Sequence, residues 1–401
     1  MPESSPLSLF WEGFALADYR ERGDGALELR LAPCAHIAPC CSGCGQRTID
    51  VHDVSLRHVR ERDLFDRRVY LKVPVRRVRC GHCGVRTEAL AWLAGRRRLT
   101  AAMVRHVEAL VRLWPIAQVA ELLGLHWHTV KAIDKTRLTR DLVEPDRAQL
   151  RRLLIDEFAL HRGHRYATVV ACADTQAVLW IGEGRSRETL RPFFEWLTGH
   201  CHRIEAVAMD MNSAFDLEVR AHCANAEIVY DLFHVVAKYG REVIDRVRVD
   251  QANALREDKP ARRAVKRGRW LLLRNADNLS SEQAVKLDEL LAANAPLTTV
   301  YVLKTQLKEL WYAPSEAEAR SRWRQWLAMA RESGIAALIA FARRLEPYLA
   351  GIFASARHRL NTSVLEGMNN RIKVIKRMAY GYRDSAYFFL KIRAAFPGKV
   401  R

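Results

Sequence analysis

Leu153-Leu-Ile-Asp-Glu-Phe158, Tyr166-Ala-Thr-Val-Val-Ala-Cys-Ala173 and Ala177-Val-Leu-Trp-Ile181 are three short apolar runs, the second and third separated by the turn-forming Asp174-Thr-Gln176. Runs this short, rich in β-branched side chains and bounded by turn residues, read as strands rather than as turns of a helix, and their spacing predicts a meander. Outward from them, Ser186–Leu197 reads as a helix. Ile204-Glu-Ala-Val-Ala-Met209 reads as a buried strand, a helix follows around 213–222, and Glu227-Ile-Val-Tyr230 reads as a last strand.

Three strands, helix, strand, helix, strand is the order of an RNase H-like α/β fold. Two of its predicted strands end in carboxylates, Asp156 and Asp210. Strand ends place groups at one edge of a sheet, where clefts form. A lone aspartate just past an apolar run is costly to bury unless it meets a cation. Two carboxylates sharing divalent metals suit in-line phosphoryl chemistry, in which the attacking and leaving oxygens are both stabilised. Hard oxygen donors favour Mg²⁺ (or Mn²⁺) over zinc. Glu157, Asp216 and Asp231 are neighbouring carboxylates, and Asp231 and His234 are candidates to support the site or touch substrate.

Residues 235–350 carry little strand signal and read as an all-α insertion. Within it Arg262, Arg263, Lys266, Arg267 and Arg269 could track phosphates, whereas Trp311, Trp323 and Trp326 read as core. After the insertion, Ser363 opens a helix whose apolar stripe is Val364, Met368, Ile372 and Ile375. Off the stripe lie Glu366, Asn369, Asn370, Lys373 and Arg377 at one-turn spacings. Glu366 is the expected third carboxylate, and Lys373, Lys376 and Arg377 the phosphate contacts that flank it.

Upstream, Thr100 is a candidate N-cap for a helix with the stripe Val104, Val107, Leu110, Val111 and Trp114. Pro115 starts a second helix, 116–123, Gly124 breaks it, and 126–137 makes a third. Ala120, Gly124 and Val130 stand at helix-turn-helix spacing: the small residue permits close crossing, Gly takes the turn, and the branched residue packs the second helix. The last helix would offer His126, His128, Thr129, Lys131 and Lys135 to a major groove. Residues 139–149 read as a polar linker. Before this region, Cys41 and Cys44, then Cys80 and Cys83, form two Cys-x-x-Cys pairs, each followed by Gly. Paired thiolates at this spacing predict one structural Zn²⁺ site. Cys40 is a spare sulfur beside the first pair.

The chain has 401 residues, and 65 Lys+Arg against 46 Asp+Glu leave a net charge of +19, which favours a polyanionic partner. No apolar run is long enough to span a membrane, and the opening Met-Pro-Glu-Ser-Ser-Pro lacks the layout of a secretory signal. A cytoplasmic setting is expected, where clustered cysteines point to metal rather than disulfides.

The chain resembles bacterial insertion-sequence transposases of the DDE type, most closely the ISL-three family. The resemblance runs nearly end to end. It rests on the paired Cys-x-x-Cys head, the helix-turn-helix, Ile155-Asp-Glu, Met209-Asp-Met, Asp231-Leu-Phe-His234, Leu365-Glu-Gly-Met-Asn-Asn-Arg-Ile-Lys373, and the trailing Lys376-Arg-Met-Ala-Tyr-Gly-Tyr-Arg383. It implies Asp156, Asp210 and Glu366 as the Mg²⁺-binding catalytic triad, and Zn²⁺ on Cys41, Cys44, Cys80 and Cys83. It also implies double-stranded DNA as partner, first the transposon ends and then a target, with a homodimer or higher oligomer on the DNA and a nucleoid-associated location. The expected organisation is α+β and multidomain: a zinc-binding head, 1–95; a helix-turn-helix, 96–145; the first part of the RNase H-like core, 150–238; the all-α insertion, 239–355; and the last part of the core, 356–401. Two other readings share these features, a DNA-binding regulator without catalysis and an RNase H-like nuclease. An intact triad speaks against the first, and a DNA-reading head against the second.

Overall fold

The computed structural model describes residues 10–399 except 96, 162, 164, 231, 361 and 362, with the side chains of 233, 308 and 363 also outside the described set. Asp231, named above as a neighbouring carboxylate, therefore lies outside the described residues. The chain forms two compact units, Met1–Asp141 and Leu142–Arg401.

In the first unit, β1 (Phe14–Glu21), β2 (Leu27–Pro33), β3 (Val51–Leu64), β4 (Arg67–Cys80) and β5 (Gly84–Thr87) make one sheet. The order is β1-β2-β4-β3, with β5 paired to β4. Alternation along β4 buries Val69, Leu71, Val73 and Val75 against Phe14, Leu31 and Val59. Three helices follow: α1 (Ala101–Leu110), α2 (Ile116–Leu123) and α3 (Trp127–Asp141). Thr100 caps α1 as predicted, its hydroxyl accepting from the Met103 amide at 3.1 Å. The predicted stripe overran the helix: α1 stops at Leu110, and Trp114 is 47% exposed. Pro115 disfavours helical backbone at Trp114, so the last residue of the stripe lies past the helix. Gly124 takes the turn between α2 and α3 with φ +60°, and Val130 and Ile133 are fully buried. The predicted linker starts later than 139, because α3 continues to Asp141.

The zinc head and the helix-turn-helix, read as separate modules in the sequence, lie in this one unit. Buried Arg60 joins them, donating from β3 to the Val69 carbonyl and to the Leu123 carbonyl at the end of α2, each at 3.3 Å.

The second unit opens with β6 (Arg152–His161), β7 (Arg165–Cys172) and β8 (Val178–Glu183). Then come α4 (Arg187–Trp196), β9 (Ala206–Met209), α5 (Ser213–His222) and β10 (Glu227–Tyr230). The sheet order is β10-β9-β6-β7-β8. β6/β7 and β7/β8 are antiparallel, while β6/β9 and β9/β10 are parallel. That mixed topology is RNase H-like, as the element order predicted. From β10 onward the described elements are helical: α6 (Leu232–Tyr239), α7 (Asp245–Ala254), α8 (Lys259–Arg267), α9 (Arg269–Leu273), α10 (Ser281–Ala292), α11 (Ala295–Leu310), α12 (Glu316–Glu332), α13 (Ala336–Leu345), α14 (Leu349–His358), α15 (Ser363–Met378) and α16 (Ser385–Ala395).

The helices divide between the two faces of the sheet. Ile155, Val170, Val207 and Met209 share one apolar core with α4, α5 and the inserted helices, including the buried Trp323 and Trp326. The opposite face, with Leu154, Phe158, Val169 and Ala208, packs on Leu365, Met368 and Ile372 of α15 and Phe388 and Ile392 of α16. α14 crosses β10 so closely that a Cβ on Gly351 would stand 2.5 Å from the Tyr230 ring and 2.8 Å from the Ile228 carbonyl oxygen. Gly351→Ala should therefore destabilise the unit despite alanine's better helix propensity, by about 2 kcal/mol. The expected reading is a Tm lower by about 5 °C for a unit of this size. A melting curve at or above that of the unsubstituted chain would refute the close packing.

Candidate active site

Asp156 does not end its strand, as the sequence suggested; it sits in the middle of β6, still paired with Val169 of β7. What ends is the pairing on the other side. β6 and β9 are in parallel register from Arg152/Ala206 to Leu154/Ala208 and no further. Two steps on in that register stand Asp156 and Asp210, side by side where the strands part. The side-chain alternation that sends Ile155 and Met209 into one core sends Asp156 and Asp210 to the other face, the one that α15 covers.

The contacts at this point are specific. Asp156 accepts from the Glu157 amide at Oδ1 and from the Asn369 side-chain nitrogen at Oδ2, both at 2.7 Å. Asp210 forms an ion pair with Nδ1 of His234, on α6. Ligand atoms of Asp156, Asp210 and His234 all lie within 4.8 Å of one another. Burial, and then the charge of Asp210, push the Asp156 carboxyl up to about 6. Burial likewise raises Glu157. Glu157 Oε2 and Asn369 Oδ1 are buried oxygens with no donor among the described residues. Arg185 lies 3.9 Å from Glu157 Oε1 and His234 pairs with Asp210, so the clustered Asp156 and Asp210 carboxylates and the undonated Asn369 oxygen are what is left for a further positive charge, and this donor set suits a hard divalent cation such as Mg²⁺ or Mn²⁺.

Glu366 stands differently. It is exposed, one turn before Asn369 on α15, and is not in the cluster formed by Asp156, Asp210 and His234. Lys373 and Arg377 are exposed further along the same helix. Lys376 donates to the Ala159 carbonyl of β6 at 3.2 Å, a second tie between α15 and the strand that carries Asp156.

In the first unit, the sulfurs of Cys41, Cys44, Cys80 and Cys83 lie within 4.8 Å of one another. Gly45 and Gly84, which follow the two pairs, have φ of +75° and +68°, a conformation glycine adopts without strain. Gly43 makes room for the cluster, since a Cβ there would stand 2.8 Å from Cys83 Sγ. The His82 and Cys83 amides hold the Cys80 thiol down to about 6, while the Cys44 sulfur beside Cys83 drives that thiol up to about 12. Four sulfurs this close, with backbone amides aimed at one of them, fit a zinc ion. Cys40 stands outside the cluster, its sulfur turned to the Gly45 carbonyl.

Sequence comparison places both sites in a family. A family model described as a transposase matches residues 153–392, more than half of the chain. A zinc-finger of transposase IS204/IS1001/IS1096/IS1165 matches 38–83, and a helix-turn-helix domain of transposase family ISL3 matches 88–138. The chain belongs to the ISL3 family of transposases. It is 55% identical over 395 residues to the transposase for insertion sequence element IS1001 of Bordetella parapertussis, covering 98% of this chain and 97% of that one. It is 28% identical over 391 residues to the transposase for insertion sequence element IS1557 of Mycobacterium tuberculosis, covering 91% and 87%. Among solved structures, a chain of the Drosophila P element transposase strand transfer complex aligns with TM-score 0.34 and 12% identity over 73% of this chain and 90% of that one. A likeness that slight adds nothing to the assignment.

In this transposase the DNA-reading candidates lie on α3 and its approach. His126 and His128 are exposed and stacked, with ring centroids 5.2 Å apart. Thr129, Lys131 and Lys135 are half-buried, and the Lys131 ammonium lies over the Trp127 ring at 5.4 Å. One group that touches the carboxylate site was not assigned a role in it from the sequence, Asn369. Asn369 had a usable signal: it stands three residues after Glu366, on the same side of the helix. No helix among the described residues is long and apolar enough to cross a membrane.

Proposed function

We propose that this transposase binds the terminal inverted repeats of its insertion sequence as duplex DNA, cuts at the element's ends, and joins the freed 3′-OH to target DNA. The catalytic residues are Asp156, Asp210 and Glu366, which would hold Mg²⁺ or Mn²⁺. The single observation that carries this reading is the meeting of Asp156 and Asp210 where β6 and β9 part, under the helix that carries Glu366. When bound, the divalent cations supply charge neutralisation of the scissile phosphodiester and activation of the attacking oxygen. The chain's own residues do the rest. Asp156 and Asp210, on adjacent strands, would hold the cation that neutralises the reacting phosphate, His234 orients Asp210, and Glu366 closes the site from α15. Lys373, Lys376 and Arg377 hold the flanking phosphates. In the first unit, Cys41, Cys44, Cys80 and Cys83 hold Zn²⁺ and set the head that presents His126, His128, Thr129, Lys131 and Lys135 to a major groove. Two ends must be cut and joined together, so the working form is a homodimer or higher oligomer on DNA. The setting is the bacterial cytoplasm, at the nucleoid.

The test is incubation of the full chain with DNA carrying the element's two ends, with Mg²⁺ or Mn²⁺ and with EDTA. Cation-dependent cleavage at the end, leaving a 3′-OH that joins a target duplex, is expected. Binding no tighter to end-bearing DNA than to random duplex would overturn the reading. Lys373→Ala should weaken binding about uniformly across sequences and lower the salt slope by about one charge. An unchanged slope would remove Lys373 from the phosphate contacts.

A further inference from the structure

We infer that Asn369 belongs to the catalytic site as the residue that positions Asp156 and offers the divalent cation an additional oxygen, directly or through one water. The inference rests on the proposed carboxylate site and goes beyond it, because an amide is not among its expected ligands.

Two observations carry it. Asn369 Nδ2 donates to Asp156 Oδ2 at 2.7 Å, across 213 positions of sequence. The assignment of the amide ends follows from that partner, since the opposite orientation would set two acceptor oxygens against each other. With the nitrogen committed, Oδ1 is turned elsewhere, and there it is buried with no donor among the described residues.

A buried acceptor without a donor is costly and is retained where something outside the protein satisfies it. One such atom in a core has many explanations. This one belongs to an amide hydrogen-bonded to one of a pair of clustered carboxylates, and that setting points to a positive ion. The arrangement is also self-consistent. The N–H that Asn369 gives to Asp156 fixes one carboxylate oxygen, the Glu157 amide fixes the other, and the remaining lone pairs are left for a cation. Met368 and Ile372, buried on either side of Asn369, hold the helix face rigid, so the amide meets Asp156 in a set place.

The experiment is a Mn²⁺ titration of the DNA-free, full-length chain, followed by electron paramagnetic resonance of the unbound ion, for the unsubstituted chain, Asn369→Ala, Asn369→Asp and Asp210→Ala. Melting in EDTA is measured alongside. Asn369→Ala should weaken Mn²⁺ binding by about 10–100-fold. Asn369→Asp keeps an oxygen and adds charge, so it should bind Mn²⁺ at least as tightly as the unsubstituted chain while melting lower in EDTA, where its carboxylate faces Asp156 unscreened. Asp210→Ala should lose the ion altogether. If Asp210→Ala loses Mn²⁺ and Asn369→Ala keeps it, the inference about Asn369 falls and the carboxylate site stands. If Asp210→Ala keeps it, the site itself is misassigned. Weakening by Asn369→Asp as large as by Asn369→Ala would leave Asn369 only its hydrogen bond to Asp156 and overturn the oxygen ligand. Should Asn369→Ala fail to fold, Asn369→Asp alone decides by the same titration.

Discussion

Asp210→Ala should slow end cleavage by about 10³-fold or more, a loss of about 4 kcal/mol of transition-state stabilisation, and leave the affinity for end-bearing DNA within about twofold. The size of the effect follows from where Asp210 stands. It lies two register steps beyond the last β6/β9 pair, beside Asp156, with ligand atoms of the two and of His234 within 4.8 Å. Removing it takes one carboxylate from the proposed cation site and leaves His234 without the carboxylate it pairs with. Nothing in the apolar cores depends on it, and the Asp156 carboxyl, pushed up in part by the Asp210 charge, is relieved. The folded chain should therefore melt near its usual temperature. Asp210→Asn, which keeps the shape and loses the charge, should be nearly as inactive. The check is single-turnover cleavage of end-bearing DNA, with binding measured by fluorescence anisotropy on the same preparations. Cleavage within tenfold of the unsubstituted rate would remove Asp210 from the chemistry. Loss of binding in parallel with loss of cleavage would make its role structural.

Removing zinc is the second large effect, and it should do the reverse: abolish end-specific binding while the second unit stays folded. The sulfurs of Cys41, Cys44, Cys80 and Cys83 gather within 4.8 Å of one another, and Cys41, Cys80 and Cys83 share a small apolar cluster in which Val78 is the one other side chain among the described residues. A cluster that small cannot hold the loop around Cys41–Cys44 against the end of β4 without a metal. Structural zinc in small domains contributes about 10–16 kcal/mol of apparent binding free energy. Chelation or Cys80→Ser should therefore unfold this end of the first unit and lower affinity for element ends by about 100-fold or more, a loss of about 3 kcal/mol. Cys40→Ser, outside the cluster, should keep both zinc and binding. The measurements are zinc content by mass spectrometry and binding before and after chelation. A chain purified with well under one zinc per molecule, yet binding ends normally, would contradict the site.

The first of these sites was only partly legible in the sequence and the second almost wholly so. Two Cys-x-x-Cys pairs with trailing glycines are local patterns, because the bite of each pair and the left-handed turn after it depend on neighbours a few residues apart. The same holds for the Thr100 cap, the Gly124 turn and the strand order that predicts the sheet. Asp156 and Asp210 were visible as residue types, and Asp210 does follow directly on the end of β9; only the setting of Asp156 was misread. Apolar runs suggested that both end strands, whereas β6 continues through Asp156, held by its antiparallel pairing to β7.

Sequence alone determined the elements, their order, the metal-binding spacings and the charge that calls for a polyanion, since each rests on periodicity or composition along a short stretch. Tertiary structure decided which groups meet: the register that sets Asp156 against Asp210, the docking of α15 that brings Asn369 to Asp156, the placement of Glu366 on that helix's exposed side, and the joining of head and helix-turn-helix through Arg60. Those meetings depend on strand register and on which face a packed helix presents, and both are settled by burial of apolar surface across the whole unit, where no local pattern records them.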